Sequence, residues 1–169
     1  MAAAQNARTQ KTEVELGGNY SFAAVKDDAI NAKYNFGGYF EMRFNLRNLP
    51  LDAGFRLEFT QYEMRYEGDI EDYNFGPLSL MGVANYSFRR GCKINPYAGL
   101  GIGIFGNFAL GGCDDCFEMT KNDVDGVGFA FAPQVGVKFL DRINLSVGYT
   151  FTSEAKSWQH ATLRLGYYF

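Results

Sequence analysis

"ATLRLGYYF", residues 161–169, decides how the chain reads. Ala161, Leu163, Leu165, Tyr167 and Phe169 recur at a spacing of two, with Thr162, Arg164, Gly166 and Tyr168 between them. Successive side chains of an extended strand point to opposite faces, so this is a β-strand with one apolar and one mixed face. It stops on an aromatic residue with no polar tail, where soluble domains commonly trail off in a few poorly ordered residues. The expectation is that the surroundings hold its end in place.

Working back from that strand, the same period recurs seven times. Val14, Leu16, Tyr20, Phe22 and Ala24 alternate with Glu13, Glu15, Gly17, Asn19 and Ser21. Tyr34, Phe36, Phe40, Met42, Phe44 and Leu46 alternate with Asn35, Gly37, Tyr39, Glu41, Arg43 and Asn45. A third segment sets Phe55, Leu57 and Phe59 against Arg56, Glu58 and Thr60. Its phase then moves to Tyr62, Met64 and Tyr66, which predicts a β-bulge near Thr60–Gln61. The fourth sets Leu78, Leu80, Ala84, Tyr86 and Phe88 against Ser79, Met81, Val83, Asn85 and Ser87. The fifth sets Ala98, Leu100, Ile102, Ile104 and Phe108 against Tyr97, Gly99, Gly101, Gly103 and Asn107. The sixth has Val127, Phe129, Phe131, Val135, Val137 and Phe139 opposite Gly128, Ala130, Ala132, Gln134, Gly136 and Lys138. The seventh has Ile143, Leu145, Val147, Tyr149 and Phe151 opposite Asn144, Ser146, Gly148 and Thr150.

The connections alternate in character. "RNLPLDAG" (47–54), "RRGCKIN" (89–95) and "LDRIN" (140–144) are turn-like and basic, while 25–33, 67–74, 110–126 and 152–158 are longer and mostly acidic. Alternating turn and loop ends predict an up-and-down meander, and eight strands suffice to close a barrel. The fold class is therefore an all-β, eight-stranded antiparallel barrel over residues 11–169, preceded by a disordered segment over 1–10. A soluble β-sandwich is the alternative that also alternates.

Composition supports this class. Aromatic residues make up 17%, with 11 Tyr, 16 Phe and 20 Gly against 4 Pro, which favours strands and tight turns. A net charge of −3 offers no basic surface for nucleic acid. Three Cys are too few for a disulfide scaffold. No run of about 18 apolar residues is present to form a membrane-spanning helix. "MAAAQNARTQ" lacks the apolar core of a secretory signal peptide, yet "AAAQ" resembles the small-residue remnant of a cleavage site. The start reads as a mature protein carrying a new initiator Met; these ten residues alone also fit a cytosolic protein with a frayed start.

Side-chain size orients the barrel. Large Phe, Tyr, Leu and Ile occupy one face of nearly every segment, and Gly, Ala, Ser, Thr and Asn dominate the other. The interior of eight strands is only just wide enough for side chains, so the smaller set should face in. A continuous bulky apolar band facing out is an aggregation hazard in water and at home in lipid. Outward aromatics cluster near segment ends, at Tyr20/Phe22, Phe55, Tyr86/Phe88, Phe139, Tyr149/Phe151 and Tyr167/Phe169, around an aliphatic middle. Two aromatic girdles around an apolar belt mark a transmembrane β-barrel, the one sheet form that satisfies its backbone in lipid.

The terminal "LRLGYYF", the "NPYAGLGIGIFG" segment and the eight-strand meander resemble the small outer-membrane barrels of the OmpA/OmpX type. The likeness runs from about Lys11 to Phe169, and its degenerate motifs specify architecture rather than activity. It implies a Gram-negative outer membrane and insertion by the barrel-assembly machinery. The expected partners are outer-membrane lipid and lipopolysaccharide, and the expected state is a monomer. In that family a final strand ending in Phe is the assembly signal, which assigns that role to Phe169.

Sites for chemistry are sparse. Lipid A-modifying barrels resemble serine hydrolases and need a nucleophile, a His and a carboxylate in reach of one another. The single His, His160, shares parity with Thr162 and Arg164 and is followed by Ala161 and Thr162, so the His-x-Ser pattern of the deacylase barrels is absent. It reads as a solvated polar residue near a strand end. "CDDC" at Cys113–Cys116 lies in the longest loop, without the βαβ context of a redox motif or the four ligands of a zinc site. Asp114, Asp115, Glu118, Asp123 and Asp125 would allow weak Ca²⁺ or Mg²⁺ binding. A solvated acidic loop with either a small disulfide or two free thiols is the plainer reading, with Cys92 as the unpaired third. No cofactor or metal is assigned.

The inward face carries Glu13, Glu15, Glu41 and Glu58 together with Arg43, Arg56, Lys138 and Arg164. Balanced signs in a narrow lumen predict mutual pairing, since an unpaired buried charge is costly. Glu41 and Arg43 should meet Arg56 and Glu58 diagonally across an offset register. Lys138 and Arg164 should approach Glu13 and Glu15 from the far wall. The predicted result is a lumen closed to ions in a non-enzymatic barrel of envelope, adhesion or receptor type. A narrow channel of the OmpW kind for small hydrophobic molecules is the alternative, with Gly99, Gly101 and Gly103 beside Gly128, Ala130 and Ala132 leaving room. A lipid A-modifying enzyme is the third reading.

Overall fold

The computed structural model describes residues 12–23, 30–46, 49–66, 73–110, 127–153 and 159–169. Eight strands follow in order: β1 Thr12–Ala23, β2 Ile30–Asn45, β3 Leu51–Tyr66, β4 Tyr73–Ser87, β5 Ile94–Leu110, β6 Gly128–Phe139, β7 Ile143–Thr152 and β8 His160–Tyr168. Each pairs antiparallel with its sequence neighbours, and β1 closes on β8 from Glu15↔Tyr168 to Ala23↔His160. Among the described residues every strand has a bonded neighbour on both sides along the barrel wall, and the loop-end extensions of β2 and β5 pair on one side.

Several strands are longer than their hydrophobic alternation. β3 begins at Leu51, inside the stretch expected as a turn, because Asp52 pairs in register with Asn45 on β2 and Asn85 on β4. Likewise, Ile30 to Lys33 belong to β2, Tyr73 and Asn74 to β4, and Ile94 and Asn95 to β5. A polar residue ends an apolar pattern without ending the backbone ladder.

The bulge also lies elsewhere. Register between β2 and β3 runs unbroken through Gly37↔Thr60, Phe36↔Gln61 and Asn35↔Tyr62, and slips only between Asn35 and Ala32. There two β2 residues face one β3 residue, so the extra residue sits in β2 rather than at Thr60–Gln61. Side-chain size reports one strand at a time, whereas a bulge is defined by the count on both.

Among the described residues the outward face is mostly apolar. Leu57, Leu80, Ile102, Ile104, Val135, Val147 and Leu165 form an exposed aliphatic belt. At the loop end stand the edge-on pair Tyr20–Phe22 (4.7 Å) and the pair Tyr149–Phe151 (4.6 Å); at the turn end, Tyr86–Phe88 (5.3 Å) and Tyr167–Phe169 (5.2 Å). The inward face is not simply the small set. Tyr39, Tyr97, Phe105 and Met81 are buried there, each laid over a glycine. A Cβ at Gly136 would fall 2.6 Å from the Tyr97 ring, and one at Gly101 would fall 3.1 Å from the Met81 sulfur. Cβ atoms at Gly128 and Gly17 would press into Phe105 and Tyr39. Glycines thus make the width that the large residues fill.

Candidate functional site: a charged lumen

The inward positions of β1, β2, β3, β6 and β8 deliver the charges, because alternate residues of a strand share a face. Glu41 lies directly opposite Arg56 in register, so no offset is needed, and Arg56 Nε donates to Glu41 at 2.6 Å. Glu41 also takes Arg43 Nε at 2.9 Å. Arg43 Nη2 continues to Glu15 at 2.8 Å, and Glu15 further accepts from the Tyr39 hydroxyl and, at 2.8 Å, from Asn144 Nδ2. On the other side of Arg56 stands Glu58, 3.9 Å from its Nη1. Glu58 receives two donors of Arg164, Nε at 3.0 Å and Nη2 at 2.9 Å, and Asn19 Nδ2 at 2.8 Å.

The result is one string of alternating sign: Glu15, Arg43, Glu41, Arg56, Glu58, Arg164. All six are buried. Taking such charges out of water costs several kcal/mol per ion, roughly, and only paired, fully bonded geometry offsets it. Neutral side chains add to the bonding, although Arg43 Nε, Arg56 Nη1 and Arg164 Nη1 stay within ion-pair reach or buried without a hydrogen bond of their own. Arg56 Nη2 donates to Gln134 at 2.6 Å, and the Tyr97 hydroxyl donates to Asn144 at 3.0 Å. Arg43 stacks over the Tyr168 ring at 4.9 Å, and Lys138 approaches the same ring at 4.7 Å.

A second string closes the turn end. Lys138 Nζ lies 2.5 Å from Glu13 and 3.9 Å from Asp52, and Asp52 pairs with Arg90. Lys138 therefore meets Glu13 from the far wall, while Arg164 goes to Glu58 rather than to Glu13 or Glu15. Sequence reasoning missed Asp52 and Arg90, having placed both in turns. Asp52 shares the parity of Arg56 and Glu58, which is the signal that could have found it. Arg90 has no such signal, since a turn residue obeys no alternation.

The glycine-lined wall is occupied. Met81, Val83, Phe105, Ala130 and Ala132 pack there as a buried apolar cluster. Near the loop end a cavity of about 20 Å³ is lined by Glu58, Thr60, Ser79, Thr150, Thr152 and His160 among others, space for about one water. A larger cavity of about 730 Å³ opens at the turn end beside Glu13, Arg90, Lys138 and Tyr168. Cys92 is exposed with a free thiol; Cys113, Cys116 and the acidic residues of that loop lie outside the described residues.

The profile of the outer membrane protein beta-barrel domain family matches residues 1–169. The chain belongs to that family. Solved barrels of the family's architecture superpose along nearly its whole length. Neisserial surface protein A matches with a TM-score of 0.62 at 15% identity, covering 94% of this chain and 96% of its own. The Yersinia pestis outer membrane protein Ail gives 0.56 at 15% identity over 94% and 98%. The outer membrane enzyme PagL gives 0.55 at 15% identity over 92% and 97%. Identities this low establish the shared fold alone. No curated protein matches the sequence significantly. Family membership makes this an outer-membrane barrel of bacteria, with its belt in lipid and its charged strings inside the membrane.

Proposed function

We propose that the protein is a non-catalytic, non-conducting barrel that holds acidic loops at the cell surface, serving envelope structure, adhesion or reception. The observation that carries this reading is the lumen itself: two strings of paired charges cross it, and an apolar cluster fills the wall where glycines could have left a path. The same filling weighs against the channel for small hydrophobic molecules. His160 beside Ser79 and Thr150 lines space for about one water, which is too little for an acyl substrate.

The loops between β1 and β2, β3 and β4, and β5 and β6 carry Asp27, Asp28, Glu67, Asp69, Glu71, Asp72, Asp114, Asp115, Asp123 and Asp125. Short turns on the periplasmic side and longer loops outside are the rule for such barrels. Acidic loops beside anionic lipopolysaccharide repel it directly, so divalent cations would bridge the two. With the sheet closed between β1 and β8 the barrel suits a monomer, and β8, ending on Phe169, would be the strand presented to the assembly machinery. Single-channel recording of refolded protein in a planar bilayer tests the reading: no steady conductance is expected. Stable, reproducible channels would overturn it in favour of the channel, and lipid A deacylation lost in His160→Ala would overturn it in favour of the enzyme.

A further inference from the structure

Arg90 sits in the β4–β5 turn, yet its side chain ends on the neighbouring β2–β3 turn. Nη1 donates to the Leu49 carbonyl at 2.6 Å and the Leu46 carbonyl at 3.4 Å. Nη2 donates to the Leu51 carbonyl at 3.2 Å and Asn45 Oδ1 at 3.1 Å, and it pairs with Asp52. Among the described residues, the β2–β3 turn holds itself with the Leu46 N–H to Leu51 bond at 3.1 Å and the Leu49 N–H to Leu46 bond at 3.3 Å. One planar guanidinium thus binds more of that turn than the turn's own backbone does. A fork of five fixed donors suits this task, and a lysine ammonium does not.

The charge at the centre of this contact is shared. Asp52 is 1% exposed and faces Arg90 on one side and Lys138, at 3.9 Å, on the other. Lys138 is in turn 2.5 Å from Glu13. Lys138 thus stands closer to Glu13 than to Asp52, the carboxylate that Arg90 holds. Arg90, Lys138 and Glu13 together line the cavity of about 730 Å³ at the turn end.

We propose that Arg90 is a clasp that locks the β2–β3 turn to the β4–β5 turn and, by holding Asp52, sets the ion pairing at the turn-end mouth of the lumen. With the clasp closed, Glu13 is neutralised by Lys138. With the clasp open, the buried Asp52 carboxylate takes Lys138, and Glu13 turns to the cavity. The clasp is independent of whether the lumen conducts.

Hydrogen exchange followed by mass spectrometry on the refolded barrel tests the first half. Arg90→Ala and Arg90→Lys should both speed exchange at Leu46 and Leu49 by about tenfold, while β6 to β8 stay protected. Arg90→Lys should restore the Asp52 pair but not the turn. The second half is read in urea midpoints. Glu13→Gln should shift the midpoint in the wild type and in Arg90→Lys, and by clearly less in Arg90→Ala, where Lys138 has already left Glu13. If Arg90→Ala does not refold, Arg90→Gln replaces it in both measurements. Unchanged turn exchange in the variants, full restoration of the turn by lysine, or equal Glu13→Gln shifts in all backgrounds would each overturn the clasp.

Discussion

Glu58 shows why charged side chains persist inside a membrane protein. It is buried at 4% exposure and satisfied by Arg164 of β8, Asn19 of β1 and Arg56 of its own strand. Removing one partner strands the rest, which costs about 3–5 kcal/mol, whereas replacing a whole pair by apolar groups of similar size can be nearly neutral. Arg164→Ala should therefore destabilise the barrel by about that amount, and Glu58→Gln with Arg164→Met should recover most of it. Arg43→Ala should cost a similar amount, because it leaves Glu15 and Glu41 each short of a cation. Urea unfolding in lipid, followed by tryptophan fluorescence, measures all three. Glycines give a sharper steric contrast. A Cβ at Gly166 would land on the Glu15 carboxylate and the Tyr39 hydroxyl, whereas one at outward Gly18 would meet nothing nearer than the Gly37 carbonyl at 3.7 Å. Gly166→Ala should impair refolding while Gly18→Ala refolds as the wild type does.

Between strands, the β6–β7 connection is the tightest. Arg142 N–H bonds the Phe139 carbonyl at 3.0 Å, and the two residues between, Leu140 and Asp141, have φ of 53° and 56°. Positive φ at both central positions is the mirror-image turn that matches strand twist, and it favours Asn-Gly. Leu140 carries a steric cost in that region of about 1 kcal/mol or more. Leu140→Asn with Asp141→Gly should stabilise the barrel by about 1 kcal/mol in the same urea assay. The β8 strand makes a different prediction. Phe169 N–H bonds the Val14 carbonyl at 2.9 Å, while its ring stands 65% exposed against Tyr167 on the outer face. So exposed a ring adds little to internal packing. If Phe169 is the assembly address proposed above, it should matter more in cells, so Phe169→Ala should reduce outer-membrane insertion more than detergent refolding. Equal loss in both would reduce its role to packing.

For the molecule as a whole, closure is the property that everything else depends on. A barrel with no free edge resists detergent, so unboiled protein should migrate differently from boiled protein on a denaturing gel, and far-ultraviolet circular dichroism should show β structure without helix. Identical migration would mean that the β1–β8 seam does not hold.

The eight strands, their faces and the lipid-facing belt were legible because each is a property of one strand, written as a period of two along the chain. The eight inward charges were legible for the same reason, by parity with neighbours such as Asn19, Thr60 and Thr162. What parity cannot express is who meets whom. Asp52 was hidden by a turn-like context, Arg90 by lying outside any strand, and the bulge by needing two strands to define it. The filling of the glycine wall by Met81 and Phe105 depends on residues from different strands meeting across a curved sheet. An alternating, closed, membrane-facing barrel follows from the residue pattern alone, since hydrophobic burial and backbone satisfaction in lipid act on each strand locally. It took the closed barrel to bring Lys138 to Glu13 across 125 residues and Arg164 to Glu58 across 106. Those partners are chosen by closure and register, which bring far walls within a few ångströms of each other and are set by all eight strands at once.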